Sequence, residues 1–151
     1  RTFAKMKIRP VTREEKRNWP KEVIVPLALP FADRRGGIQP LVDAAMESCV
    51  LITSKKDTVR ANHYHRTDWH YCYVLSGSIE YHHRPHGGAG EPDMVTIKSG
   101  QLFFTPPMVD HAMAFPEDTV FLTLGRNSRR QEVYEADVER IELIGTPRPL
   151  A

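Results

Sequence analysis

Between residues 48 and 125 the chain is cut into short apolar or alternating runs, at residues 50–53, 70–75, 79–81, 94–97, 102–105, 111–115 and 120–124. Each run stops at Gly, Pro or a charged turn, and none is long enough to bury the face of a helix. Short strands at close spacing, joined by turn residues, close either into an antiparallel barrel or into a two-sheet sandwich. The chain is therefore expected to be all-β, with one core.

The flanking segments add detail to that expectation. Residues 22–29 form an apolar run interrupted by Pro26, which marks an edge strand. Residues 31–37 read as a turn, 38–42 as extended chain, and 55–57 as a turn into the next strand. Leu75-Ser76-Gly77-Ser78 reads as a hairpin turn, and residues 82–93 as one solvated loop that includes His82, His83 and His86. Residues 132–144 fit a helix or a strand equally well. Residues 1–20 are a polar, basic arm in which Thr12 to Glu15 can cap one helical turn. The expected organisation over residues 1–151 is one domain, with the arm at 1–20, a barrel at 35–125 and a charged tail at 126–151.

Composition excludes several classes. Hydrophobic content of 40% and charged content of 26% fit a soluble globular chain. A formal net charge of +2, dispersed along the sequence, gives no footprint for nucleic acid. No apolar run approaches a membrane span. Cys49 and Cys72 lack the spacing of a disulfide framework and read as reduced thiols, so a cytoplasmic location is expected.

The chemistry concentrates in residues 60–77. His63 and His65 are two apart, so on a strand they share a face. The polar break Arg66-Thr67-Asp68 turns the chain, and His70 opens the run His70-Tyr71-Cys72-Tyr73-Val74-Leu75. Two imidazoles on one strand and a third beyond a turn are able to converge, and neutral imidazole is the commonest transition-metal ligand among side chains. By the same period, His111, Met113 and Phe115 share one face, as do His70, Cys72 and Val74. If His70 and His111 point inward, Cys72, Met113, Phe115 and Phe103 line a largely apolar pocket with them. Tyr64, Tyr71 and Tyr73 then face outward, and Trp69 either caps the pocket or anchors the turn.

Residues 35–125 resemble the cupin superfamily. Its first motif has a leading Gly, then His-x-His, a Glu and a Gly; His63, His65 and Gly77 match, Asp57 replaces the leading Gly and His70 stands in the Glu position. Its second motif has a Gly, then Pro-x-Gly-x-x-His and an Asn. Gly100, Pro106 and His111 match, while Met108 and Phe115 depart from it. The resemblance implies an antiparallel double-stranded β-helix, the cupin jelly-roll barrel. It also implies one divalent transition metal (Zn, Fe, Mn, Ni or Cu) on His63, His65, His70 and His111.

A narrower resemblance concerns substrate. Val59-Arg60-Ala61-Asn62-His63-Tyr64-His65 and Phe31-Ala32-Asp33-Arg34-Arg35-Gly36 are similar to stretches of the nucleotide-sugar 3,5-epimerases. That similarity implies contact of Arg60 with an anionic substrate and, in a metal-free site, His63 as the catalytic base. It offers no match for the tyrosine acid of those enzymes. Three functions follow: a metal-dependent isomerase or epimerase on a sugar or nucleotide sugar, a metal-dependent dioxygenase, or a non-catalytic barrel with a structural metal. Cupins pair through strands near the N-terminus, so the partners expected are a small-molecule substrate and a second copy of the chain in a homodimer, with neither nucleic acid nor membrane.

Overall fold

The alternation of apolar and polar residues that marks strands in the sequence becomes two facing sheets in a computed structural model of the protein, which describes residues 8–146. In chain order the elements are α1 (Arg13–Asn18), β1 (Ile24–Val25), β2 (Phe31–Asp33), β3 (Gly36–Ile38), β4 (Ser48–Ser54) and β5 (Val59–His65). There follow β6 (His70–Ser76), β7 (Ser78–Pro85), β8 (Asp93–Lys98), β9 (Leu102–Thr105), β10 (Val109–Ala114), β11 (Thr119–Gly125), α2 (Gln131–Asp137) and β12 (Val138–Arg140). One sheet has the order β1-β9-β6-β11-β4 and the other β12-β5-β10-β7-β8, while β2 and β3 form a separate hairpin. All pairings are antiparallel.

Most successive strands from β4 to β12 lie in alternate sheets, which is how a double-stranded β-helix winds. Inward residues from both sheets, including Val74, Ile79, Ile97, Phe103, Phe115 and Phe121, form the core. The all-β expectation stands. Among the described residues no helix is long and apolar enough to cross a membrane.

Several local expectations change. Residues 75–78 are not a hairpin: β6 and β7 belong to different sheets, and Gly77, at φ 88°, turns the chain from one to the other. A tight turn between two alternating runs serves both topologies, so period alone does not separate them. His82 and His83 lie on β7, and the loop begins only after Pro85. Residues 132–144 contain both alternatives in succession, the last helix and then the last strand. The edge strand expected at 22–29 is present but short, with Ile24 and Val25 pairing to Phe103 and Leu102. Residues 31–38 are a hairpin, in which Phe31 faces Ile38.

The described part of the arm folds onto the barrel. Thr12 and Glu15 form a reciprocal capping box at the start of α1. Trp19 packs edge-on against Trp69 at 6.5 Å and against Phe104 at 6.1 Å. Trp69 donates its indole N–H to Glu15 at 2.9 Å. Trp69 is thus an anchor for the arm and not a cap on the pocket.

Candidate functional site

The site grows from strand register. His111 on β10 is cross-strand partner to His63 on β5, which places both side chains on the inner face. His65 follows two residues on and shares that face. A bulge interrupts the pairing before Ala112, where Ala61 and Asn62 adopt φ of 71° and 53°. The extra residue shifts the alternation, so that Arg60 lies opposite inward-facing Met113 and joins the histidine face. Asn62 tolerates its left-handed backbone because its side chain binds the tail: Oδ1 accepts from Leu143 N and Ile144 N, and Nδ2 donates to the Ile144 carbonyl. His70, the first residue of β6, enters from the opposite sheet.

The four rings meet. Centroids are 4.7 Å apart for His63–His65 and for His63–His111, 5.7 Å for His70–His111 and 5.8 Å for His65–His70. Ligating atoms of His63, His65 and His111 all lie within 4.8 Å of one another, and those of His65, Asp68 and His70 do likewise. Outside the cluster, three Nδ1 atoms face acceptors. His111 Nδ1 is 2.9 Å from the Val109 carbonyl, His70 Nδ1 is 3.4 Å from Asp68 Oδ2, and His65 Nδ1 is 3.4 Å from Asp137 Oδ2. The last contact is not well aligned as a hydrogen bond, and that nitrogen has no other polar partner among the described residues. A proton on Nδ1 leaves an Nε2 lone pair free.

Burial, followed by repulsion from the neighbouring imidazoles, holds the pKa of His63 and of His111 far below the ordinary histidine value. Both rings are therefore neutral at physiological pH, the form that ligates a metal. Buried, neutral and convergent imidazoles fit a divalent transition metal, and Zn, Fe, Mn, Ni and Cu all accept such donors. Carboxylates stand behind His65 and His70 and bring negative charge close to the imidazoles. Asp137 and Asp68 stand one imidazole away.

A cavity of about 170 Å³ opens beside the rings. Arg60, Cys72 and Met113 line it; Phe103 and Phe115 do not, lying instead in the core beneath. Arg60 is committed to the wall, with Nε donating to Ser54 Oγ at 2.7 Å and a terminal nitrogen to the Thr53 carbonyl at 2.9 Å. Cys72 is an inert thiol: burial pushes it up to about 12 despite a contact with Thr123 Oγ1.

The tail supplies what the sequence reading missed. Asn127, Arg129, Tyr134 and Asp137 all line the cavity. The Tyr134 ring is 6.4 Å from His63 and 5.5 Å from His65, and the Arg129 guanidinium lies 3.7 Å above it. Burial raises the phenol pKa, with Arg129 and Arg140 pulling the other way. Nothing in a charged C-terminal stretch marks one tyrosine as inward-facing, although helical spacing places Val133 and Asp137 on one side of α2. Two of the other histidines make contacts outside the cluster. His83 stacks on Tyr81, and His86 stacks on Tyr64 while pairing with Asp110 at 2.9 Å.

An antiparallel β-helix with histidines converging at one end defines a cupin. The cupin domain family matches residues 50–124, and the chain belongs to the cupin superfamily. No curated protein matches the chain in sequence. Among solved structures, a mutant of the 3,4-ketoisomerase QdtA from Thermoanaerobacterium thermosaccharolyticum, in complex with TDP-4-keto-6-deoxyglucose, is similar at 20% identity and a TM-score of 0.59, covering 74% of this chain and 82% of that one. The dTDP-4-dehydrorhamnose 3,5-epimerase from Sulfolobus tokodaii is similar at 17% identity and a TM-score of 0.62, covering 79% and 77%. A dTDP sugar isomerase from Desulfovibrio desulfuricans G20 is similar at 15% identity and a TM-score of 0.62, covering 80% and 83%. At these identities the likeness is one of fold.

Proposed function

We propose that the protein is a metal-dependent isomerase or epimerase acting on a nucleotide-linked keto sugar. The observation that carries this reading is the cluster of four imidazoles at one end of a cavity with Tyr134 on its wall. His63, His65, His70 and His111 would hold one divalent ion, and that ion when bound would act as a Lewis acid toward a substrate carbonyl. The remaining chemistry belongs to side chains. Both reaction types take a proton from carbon next to a ketone and return one elsewhere or on the other face. Tyr134 is protonated at neutral pH, its pKa raised by burial, and we assign it both halves of the transfer: the phenol gives its proton to the substrate oxygen, the phenolate takes the proton leaving carbon, and the reverse steps return a proton to carbon. Arg129 braces the phenol by stacking on it and offers a cation to an anionic group. The substrate class is supported by the sugar-nucleotide relatives of the same fold.

The deciding experiment uses TDP-4-keto-6-deoxyglucose in deuterated water. Deuterium should appear at carbon beside the ketone, disappear on chelation and return with divalent metal, and be lost in Tyr134→Phe. Absence of exchange with every candidate metal overturns the reading.

The functional unit in this proposal is a homodimer. Leu29, Phe31 and Ile38 on and beside the β2–β3 hairpin are 93%, 61% and 66% exposed, and Leu51 on the edge strand β4 is 62% exposed. A two-stranded hairpin with apolar side chains in water is marginal alone, and a second copy would cover it.

A further inference from the structure

We propose that Asp137 and Asp68 are positioning residues for the metal, aiming His65 and His70 so that the centre is completed by residues other than the four histidines. The inference rests on the metal reading above and concerns how its ligands are held.

An imidazole ligates through one nitrogen, and the partner of the other nitrogen selects the tautomer and the ring orientation. Asp137 is 2% exposed, and its carboxylate is fixed by neutral donors: Thr67 N at 2.9 Å, Thr67 Oγ1 at 2.6 Å and Asp68 N at 3.0 Å. Asp68 is fixed in turn, with Oδ1 accepting from Asn127 N at 2.8 Å and Oδ2 facing His70 Nδ1. Asn127 ties the two together by donating Nδ2 to Thr67 Oγ1 at 2.9 Å and, more weakly, to Asp137 Oδ2 at 3.4 Å.

Among the described residues, no Arg or Lys is a hydrogen-bond or ion-pair partner of either carboxylate. A buried carboxylate without a cation is costly. A dication on the far side of His65 and His70 supplies the missing charge, and two carboxylates balance it. Asp137 comes from the end of α2, beyond the matched cupin residues 50–124. The metal centre therefore depends on the docked tail as well as on the barrel.

The test compares full-length wild type, Asp137→Asn and Asp68→Asn. Zn(II) and Co(II) affinities are measured by chelator competition at one pH, with Co(II) absorption spectra and melting temperatures of the metal-free proteins alongside. Each variant is expected to bind about 10–100-fold more weakly, with shifted Co(II) bands and a folded metal-free state. Wild-type affinity and spectra in both variants overturn the proposal, even if the metal-free melting temperature falls. If metal-free Asp137→Asn does not fold, Asp68→Asn decides by the same readings. Wild type that takes up no metal overturns the metal reading itself, an outcome distinct from wild type binding tightly and the variants equally so.

Discussion

Arg126 and Glu15 form an ion pair between the residue that follows β11 and the first helix, with the guanidinium Nε donating to Oε1 at 2.7 Å. Arg126 is 1% exposed and also reaches the carbonyls of Arg9 and Pro10 and the side chain of Asn127. It is the peg on which the N-terminal arm hangs. Removing one partner of such a pair leaves a buried charge uncompensated, at a cost of about 3–5 kcal/mol. Glu15→Ala is therefore expected to destabilise strongly in thermal or urea melts, and Arg126→Met less so, because the Glu15 carboxylate left behind is 16% exposed and keeps its bonds from Thr12 N and Trp69.

The same pair sets an acid limit. Burial works to raise the Glu15 pKa, but hydrogen bonds from Arg126, Thr12 N and Trp69 prevail and lower it to about 2, from an ordinary value of 4.5. A carboxyl with a depressed folded-state pKa contributes stability that is full above its unfolded value and is lost as pH falls toward the folded one. Wild-type stability should drop between about pH 4.5 and pH 2, the window between the unfolded and folded values, and the drop should be smaller in Glu15→Gln. Equal acid slopes in the two proteins would remove Glu15 as its source.

Gly77 makes the crossing between sheets. Its φ of 88° disfavours any side chain, and an added Cβ would stand 2.5 Å from the Asp118 carbonyl and 2.7 Å from Thr119 Cα. Gly77→Ala should cost at least about 1–3 kcal/mol from backbone strain alone, seen as a melting temperature lower by several degrees. An unchanged melt would mean that the turn relaxes freely.

The two-residue period made the strands legible because burial alternates along them, as in β6, where His70, Cys72 and Val74 are buried and Tyr71 and Tyr73 are only partly so. Convergence of His63, His65 and His111 was legible for the same reason. Arg60 reaches the inner face by a different route, since the bulge at Ala61 and Asn62 breaks the two-residue alternation that would otherwise put it on the face opposite His63. The hairpin expected at Gly77 failed because sheet membership depends on contacts far along the chain. Tyr134 and Asp137 were missed because a short helix after the barrel carries no signal for where it docks. His83 was misplaced because the composition of residues 82–93 is that of a loop, while pairing with β10 extends the strand through Pro85.

Tyr134→Phe removes one hydroxyl and keeps the ring beneath Arg129. Loss of a general acid costs typically 100- to 10,000-fold in rate. The variant should keep wild-type melting and metal affinity while its isomerisation or exchange rate falls by about that factor, measured by NMR. A fall of less than about tenfold would remove the phenol from the chemistry.

The exposed hairpin gives a test of assembly. Light scattering at micromolar concentration should report twice the chain mass of 17.3 kDa. Phe31→Ser with Ile38→Ser should halve it without unfolding the barrel, because both side chains lie on the exposed hairpin. A monomeric wild type would sink the dimer.

Metal removal probes the four-imidazole end directly. A ligand that binds only the folded state stabilises it by about 2.7 kcal/mol when present at 100 times its Kd. Protein purified anaerobically without an affinity tag should carry about one divalent ion per chain by elemental mass spectrometry. Chelation should then lower the melting temperature by roughly 5–10 °C, and the ion found should restore it. His111→Ala should abolish both the stoichiometric ion and the shift, since His111 sits between His63 and His70 in the cluster. Iron, manganese, copper or nickel would call for an oxygen-uptake assay, whereas zinc would count against oxygenase chemistry. Protein that gains no stability from any candidate ion would leave His63, His65, His70 and His111 as a buried polar cluster. The base role that the epimerase resemblance gives His63 would then be the one to test.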